Sequence, residues 1–328
     1  MAEGKPNKIV YLFGAGATHA ELQNIDPDIA DNNRGLLVSH VSSRVIERAR
    51  RDPQYISGVE MVSGITGSLN IELLISLIEN SKIAHWEYKT QKLKDLVRED
   101  IEQILSTSVT RRFYLHKALF ELHSQPVTQR EERLAGVISL NYDDILDRAY
   151  DLYHGLPRYC FSLDEPLETN DVPLLKLHGS FNWKSVKIRG RERNIDIIPL
   201  GSTKTYIHPP YGCIWNQALQ TLINCDTLRV IGCSLNQNDI HLIDLLFKAH
   251  LERGKPFEIE VIARRTIGDG IRSNYGFFPS LKTLTEIKDS LVPEPEPANP
   301  FKTWLKYKGL AMLGKKISRT RHLKKVVR

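Results

Sequence analysis

The spacing of apolar residues along this chain changes character twice. Residues 8–13 (Lys-Ile-Val-Tyr-Leu-Phe) are a short run of β-formers closed by Gly14, as in a strand buried on both faces. Between 34 and 51, Leu36, Leu37, Val41, Val45 and Ile46 recur at helical spacing. Pro53, Gly58, Gly64 and Gly67 interrupt 52–68, and Asn70 then stands as an N-cap before a helix whose apolar face is Ile71, Leu74, Ile75 and Ile78. That face suits either core burial or assembly. Residues 86–124 predict two charged helices joined near 106–110, ended by Pro126.

From residue 136 the pattern alternates. Strands are expected at 136–140, 172–177, 195–199, 227–233 and 257–263, and helices at 143–153, 214–225 and 239–253. Strands alternating with helices make parallel βαβ units, so the expected class is α/β, a Rossmann-like doubly wound parallel sheet. The first strand belongs to that sheet. Residues 1–30 and 131–265 are then the sheet domain, 31–130 a helical insertion, and 266–328 a C-terminal extension with a Pro-rich linker at 292–300 and a basic end.

Composition sharpens this organisation. With 328 residues, 41% of them hydrophobic, the chain can build a full core, which excludes wholesale disorder and a small disulfide scaffold. The formal charge is +6, but residues 301–328 hold ten Lys and Arg and no acid, leaving 35 basic against 39 acidic groups elsewhere, a net of −4. The basic charge is therefore a terminal arm, open to nucleic acid, to an acidic protein surface or to solvent. Its removal (residues 301–328) is expected to leave the intrinsic site intact. Cys160, Cys213, Cys225 and Cys233 contain no C-x-x-C pair, so no zinc is expected, and the cysteine usage fits a reducing cytoplasm. No run of 18 predominantly apolar residues suggests a membrane span.

Four short motifs fall where strands are expected to end, the place where open α/β sheets bind ligands. Gly14-Ala15-Gly16-Ala17-Thr18 is either a diphosphate-binding turn or a bare strand-to-helix turn. Asn141-Tyr142-Asp143-Asp144 offers an amide able to hold a ribose hydroxyl or water, or else a helix cap. His178-Gly179 offers a base of near-neutral pKa, or a structural histidine with a turn glycine. Gly232-Cys233-Ser234, followed by Asn236, offers groups for a sugar or a base, or an ordinary capped turn. His19 is placed to line the same pocket; Glu260 and Arg264, around the last expected strand, are candidates for adenosine contacts or surface positions.

In order and spacing these motifs resemble the sirtuin family of NAD-consuming enzymes, with its GAG-x-S, N-x-D, H-G and G-x-S signatures. The resemblance implies NAD binding in an extended groove. Asn141 and His178 would take the catalytic positions, with Asp143 by the nicotinamide. Gly14, Ala15, Gly16 and Thr18 would lie on the diphosphate side, joined by Gly179, Gly232, Ser234 and Asn236 in holding the nucleotide. The departures are informative. The zinc module of deacylase sirtuins has no counterpart, the Q-N-I-D form is Leu140-Asn141-Tyr142-Asp143, and Ala263 replaces the amide or hydroxyl residue that often ends the last strand. In these respects the chain resembles prokaryotic sirtuin-like effectors of antiphage defence, which hydrolyse NAD alone or with a HerA-type ATPase or an Argonaute. The expectation is an NAD glycohydrolase that needs no metal, with His178 as general base, Asn141 positioning water and ribose, and activity governed by homo-oligomerisation or a partner. A non-catalytic NAD or ADP-ribose sensor, a nucleic-acid-binding assembly subunit and a deacylase are the alternatives.

Overall fold

The computed structural model describes residues 5–30, 35–53, 55, 70–81, 86–108, 113–162, 168, 171–183, 186–188, 191–193, 197–198, 209–235, 239–255, 258–275, 280–287 and 297–309. The chain begins with β1 (Asn7–Phe13) and α1 (Ala15–Ile25), then α2 (Val38–Arg50), α3 (Ile71–Ser81), α4 (Trp86–Ser108), α5 (Tyr114–Ser124) and α6 (Pro126–Glu131). The alternating part follows: β2 (Glu132–Ser139), α7 (Ile145–His154), β3 (Leu174–Lys176), the hairpin β4 (Val186–Ile188) and β5 (Arg191–Arg193), α8 (Tyr211–Ile223), β6 (Thr227–Ile231), α9 (Ile240–Glu252), β7 (Glu258–Ile262), α10 (Arg265–Asn274), β8 (Ser280–Thr283) and α11 (Leu284–Ile287). Residues 300–309 are helical as well.

Six strands form one parallel sheet in the order β3-β2-β1-β6-β7-β8. The chain winds outward from β1 in one direction, then returns to β6 on its other side and winds the opposite way. This is the doubly wound, Rossmann-like arrangement, with its switch point between the carboxyl ends of β1 and β6. Alternation along β1 feeds two cores: Val10 and Leu12 pack with α8, α9 and α10 on one face, while Ile9, Tyr11 and Phe13 pack with α1, α5 and α7 on the other. A third core joins α2, α3 and α4, and Tyr142, Ile145 and Phe181 from the sheet layer enter it. Ile71, Leu74, Ile75 and Ile78 all lie in this core, which decides for burial over assembly.

Two expectations need correcting. Residues 195–199 were expected as a strand, but Ile197 and Ile198 lie outside any strand, and the Ile198 N–H is taken by the His178 carbonyl at 2.8 Å. The sixth sheet strand is instead β8, a short and partly exposed edge whose Ser-Leu-Lys-Thr sequence carries little apolar signal. Pro126 opens a helix as its first residue, where its missing N–H costs nothing.

The start of the C-terminal segment is also an integral part of the fold. Asn299 caps the last helix through Oδ1 to the Lys302 N–H (3.0 Å) and donates Nδ2 to the Ala20 carbonyl at 2.8 Å. Phe301 and Trp304 are each 2% exposed and pack into the α1-side core. Behind them the buried Arg229 pairs bidentately with Glu132 at 2.7 Å and also with Glu260, its guanidinium lying between Tyr11 and Trp304. Lys308 reaches the same Glu132. Burial pushes the Glu132 carboxyl up, but Arg229 and Lys308 outweigh it and hold it at about 2. Phe301, Trp304 and Lys308 therefore tie residues 301–308 to the body of the protein rather than to a separate basic arm. They close a core and complete a buried charge network.

Candidate active site

The glycines of the first and last motifs meet across the switch point. The Gly14 N–H donates to the Ile231 carbonyl at 3.0 Å and the Gly16 N–H to the Gly232 carbonyl at 2.8 Å. A Cβ on Gly14 or Gly16 would come within 2.8 Å of backbone in the Gly232-Cys233 turn. Gly232 has φ +61° and a Cβ there would sit 2.1 Å from the Ala17 nitrogen. These glycines let two turns touch backbone to backbone; the Gly14 and Gly16 N–H groups are spent across that contact, and the Gly232 N–H donates to the Ile262 carbonyl at 3.3 Å. Gly179 has φ +87°, so its turn also calls for glycine.

The second motif hangs from the first. Asn141 Nδ2 donates to the Gly14 carbonyl (3.1 Å) and to Thr18 Oγ1 (3.0 Å), and Thr18 in turn donates to Asp143 Oδ2 at 2.9 Å. Asp143 Oδ1 accepts the Ile145 N–H at 3.1 Å and so caps α7. The capping reading of this motif thus applies to Asp143, two residues after Asn141. Burial pushes the Asp143 carboxyl up; the Lys176 ammonium, the Ile145 N–H and the Thr18 hydroxyl pull against it. Lys176, fully buried, is held by Asp147 at 2.8 Å and the Asp143 carbonyl. With Nδ2 committed on both hydrogens, the atom Asn141 can offer a ligand is Oδ1, an acceptor.

A cavity of about 590 Å³ runs along these strand ends. Gly14, Ala15, Gly16, Thr18, Asn141, Asp143, Gly232 and Ser234 all line it. His178 and Gly179 do not; His178 is fully buried, its Nε2 3.4 Å from Oδ2 of Asp239, which does line the cavity. Asn236 lies outside the described residues. His19 lines the wall as expected, and burial, with His40 and Arg264 adding, lowers it to about 4. Arg264 lines the wall too, one residue before α10, whose first turn carries no acid. Glu260 is engaged elsewhere, in the ion pair with Arg229.

Sequence reasoning missed a set of contributors to this wall. His40, Glu72, Val97 and Ile101 come from α2, α3 and α4, and Ala298, Pro300 and Phe301 from the C-terminal segment. None belongs to a motif, and their only signal is the helical spacing of their neighbours. The polar groups divide along the cavity. Asn141 and Asp143 follow β2, and Tyr142 between them bonds Glu72. Arg264 follows β7, three strands away, roughly 14 Å at ordinary strand spacing. Asn141 and Asp143 thus lie at one end and Arg264, with the His19 imidazole near it, at the other, while a further carboxylate, Asp239, follows β6 between them. The described residues include no helix long and apolar enough to cross a membrane.

Residues 135–257 match the model of the SIR2-like domain family. That span contains Asn141, Asp143, His178, Gly232 and Ser234, and leaves β1 with its glycine turn outside. No curated protein matches the chain. Among solved structures, a Sir2 homologue in complex with NAD aligns at 13% identity over 93% of this chain and 90% of its own, with a TM-score of 0.37. A triple mutant of a Sir2 homologue with 2′-O-acetyl ADP ribose aligns at 13% over 95% of each chain, with a TM-score of 0.40. A Sir2 homologue bound to a myristoylated histone peptide aligns at 13% over 92% and 90%, with a TM-score of 0.33. The strand order and parallel register, rather than these overlays, define the architecture, and the family likeness is confined to residues 135–257.

Proposed function

We propose that this cavity binds NAD and cleaves its nicotinamide–ribose bond with water, releasing nicotinamide and ADP-ribose. The observation carrying this reading is the division of charge along one switch-point cavity. NAD is itself divided: a cationic pyridinium at one end, an anionic diphosphate further along. Asn141 and Asp143 at the β2 end suit the cationic ring and its ribose; Arg264 and His19 at the β7 end suit the nucleotide phosphates or the adenosine hydroxyls. The cavity volume is that of a small-molecule site. The SIR2-like match over 135–257 supports the same ligand.

The chemistry asks little proton work of the protein. The leaving nicotinamide departs neutral from a cationic precursor, so no general acid is required, and charge builds on the ribose as an oxocarbenium-like ion. Asn141 Oδ1 accepts from a ribose hydroxyl or orients the attacking water. Asp143 supplies negative potential and fixes Thr18. His178 contributes from behind the wall, through Asp239, as a positioning residue. Gly14, Ala15, Gly16, Thr18, Gly179, Gly232, Ser234 and Asn236 shape or line the groove. No metal takes part. An enzyme of this kind drains a central metabolite, so we assign it to antiphage defence under control of homo-oligomerisation or a partner such as a HerA-type ATPase, with the basic arm as a tether for that partner or for nucleic acid.

The test is incubation of purified protein with NAD, alone and with the products of neighbouring genes, following nicotinamide and ADP-ribose. Cleavage that falls at least about 100-fold in Asn141→Ala is expected. Cleavage that survives this change removes Asn141 from the mechanism. The burial of His178 favours one second reading, a sensor that binds NAD or ADP-ribose without cleaving it; binding with no cleavage under every condition would establish that instead.

A further inference from the structure

Arg264 is a cation in the cavity wall that has no ion pair among the described residues. Its guanidinium reaches the Ala298 carbonyl at 3.5 Å, a long contact to a neutral group. The next residue, Arg265, is turned instead to Asp269 at 3.8 Å. The carboxylates nearer the switch point are engaged elsewhere. Asp143 holds the Ile145 N–H and the Thr18 hydroxyl, and Asp239 faces the Leu242 N–H (3.3 Å) and His178 Nε2 (3.4 Å). The first turn of α10, directly after Arg264, carries no acid. The rest of the wall there is apolar, with Ile262, Ala263, Ile267 and Pro300. His19 lies near Arg264. It is 6% exposed, and its Nδ1, like that of His40, is sealed without a hydrogen-bond partner. Gly35 makes room for both rings: a Cβ there would lie 2.4 Å from His19 Nδ1 and 2.6 Å from His40 Nδ1. Nε2 is then the nitrogen His19 leaves to a ligand, and with no acceptor at Nδ1 the proton belongs on Nε2. The charges acting on His19 are His40 and Arg264, with no carboxylate among them. The β7 end of the cavity therefore offers positive potential and N–H donors with nothing anionic to balance them.

Resting on the NAD reading of this cavity, we infer that its β7 end holds a phosphate monoester on the adenosine ribose, so that the substrate it selects is the 2′-phosphorylated dinucleotide, NADP. With the nicotinamide ribose at Asn141, after β2, an extended dinucleotide lays its diphosphate across the switch point between β1 and β6. Its second ribose then comes to β7, roughly 14 Å from β2 at ordinary strand spacing. NAD offers a neutral hydroxyl at that place, which leaves the guanidinium unmatched. A phosphate monoester offers about two negative charges and three acceptor oxygens. The planar fork of Arg264 takes two of those oxygens and His19 Nε2–H donates to the third. A site built for the unphosphorylated ribose sets a carboxylate against the 2′-hydroxyl; no carboxylate from β7 or α10 lines this cavity among the described residues. The bond cleaved is the same. Water bonds to C1′ as the C1′–N1 bond breaks, the electron pair leaves with nicotinamide, the water proton goes to solvent, and the other product is ADP-ribose 2′-phosphate.

The experiment measures Kd for ADP-ribose and for ADP-ribose 2′-phosphate, and kcat/KM for NAD and NADP, on the full chain and on Arg264→Gln. Arg264 is exposed, so this substitution keeps the fold. Wild type should bind the phosphorylated ligand about tenfold tighter or more, and Arg264→Gln should bring the two affinities within about twofold of each other. The kcat/KM ratio of NADP to NAD should fall by the same factor. Arg265→Gln, one residue along and paired with Asp269, should keep the wild-type ratio. Equal affinities in wild type would overturn the inference. So would an equal loss for both ligands in Arg264→Gln, which would assign Arg264 to the diphosphate; both results leave nucleotide binding standing. If neither dinucleotide is cleaved, the hydrolase reading fails and the affinity ratio still decides for Arg264. If neither ADP-ribose nor its 2′-phosphate binds, the nucleotide reading falls and this inference falls with it.

Discussion

The cavity has two walls made in different ways. The sheet wall is fixed by direct hydrogen bonds between strand ends and tight turns, from Gly14 to Ile231, Asn141 to Gly14 and Thr18, and Thr18 to Asp143. The helical wall, with His40, Glu72, Val97 and Ile101, is fixed only by how α2, α3 and α4 pack on one another. Changes at the glycine turns of the sheet wall should therefore appear first as lost stability, and changes in the helical wall first as a reshaped cavity.

The sharpest way to break this contrast is at the glycine contact. Gly232→Val must adopt a left-handed backbone and drive a Cβ into the α1 turn, at a cost of about 4 kcal/mol. Gly155 has a similar φ of +73° but nothing within 4 Å of its would-be Cβ. With ψ −161° it lies in a region essentially reserved for glycine, so Gly155→Ala should cost about 2 kcal/mol from backbone strain alone. Denaturant midpoints of the two variants measure the difference; equal costs would show that backbone strain alone, and not the turn-to-turn contact, governs the sheet wall.

Next in size is the support behind that wall. Trp304→Ala empties a buried site and uncovers one face of the Arg229 guanidinium, with an expected loss of about 3 kcal/mol. Truncation after residue 309 should keep this contact and truncation after 300 should lose it, read as the difference in Tm. A common Tm for both truncations would mean that the last helix is not part of the folding unit.

These two variants also mark what could be read in advance. The parallel sheet and all four strand-end motifs were legible because each is written in contiguous residues: an apolar run followed by glycine, amide or histidine. What stayed hidden depends on packing between distant segments. His178 shares its signature with a surface-facing base, and only the fold shows it sealed behind Asp239. Glu72 reads as one more acid on an amphipathic helix until α3 is packed against Tyr142 and the cavity. Phe301 and Trp304 stand among lysines at the spacing of a short amphipathic helix, and only the fold shows that helix, capped by Asn299, turning them into the core. The edge strand β8 was missed because an edge needs little apolar sequence.

A smaller effect separates the walls by pH. Burial, with Arg229 adding, pushes His123 down to about 3, and its Nε2 lies 2.7 Å from the Tyr11 hydroxyl. The unfolded chain protonates this histidine near 6.5 and the folded one does not until far lower. Stability is therefore full above 6.5 and is lost as pH falls from there toward 3, by about 1.4 kcal/mol per pH unit. His123→Gln should remove that slope between pH 6.5 and 5, before the carboxylates titrate. His19, lowered to about 4 at the cavity, acts in the same direction. A stability profile of His123→Gln that overlays wild type would show that His123 does not stay neutral in the folded state.

The smallest change bears on the helical wall. Asn70→Ala removes the cap of α3 and leaves the Glu72 and Leu73 N–H groups without their side-chain acceptor, a loss of about 1 kcal/mol. In a chain of this size that moves Tm by only about 2 °C. Yet the cap also sets where Glu72 stands in the cavity wall, and catalytic geometry tolerates little displacement. Turnover should then fall by about tenfold with KM little changed, and Asn70→Asp, which restores an acceptor at the same place, should recover most of it. A turnover that simply tracks the small Tm shift would make the helical wall a scaffold and leave the chemistry to the sheet wall, with its Asn141 and Asp143.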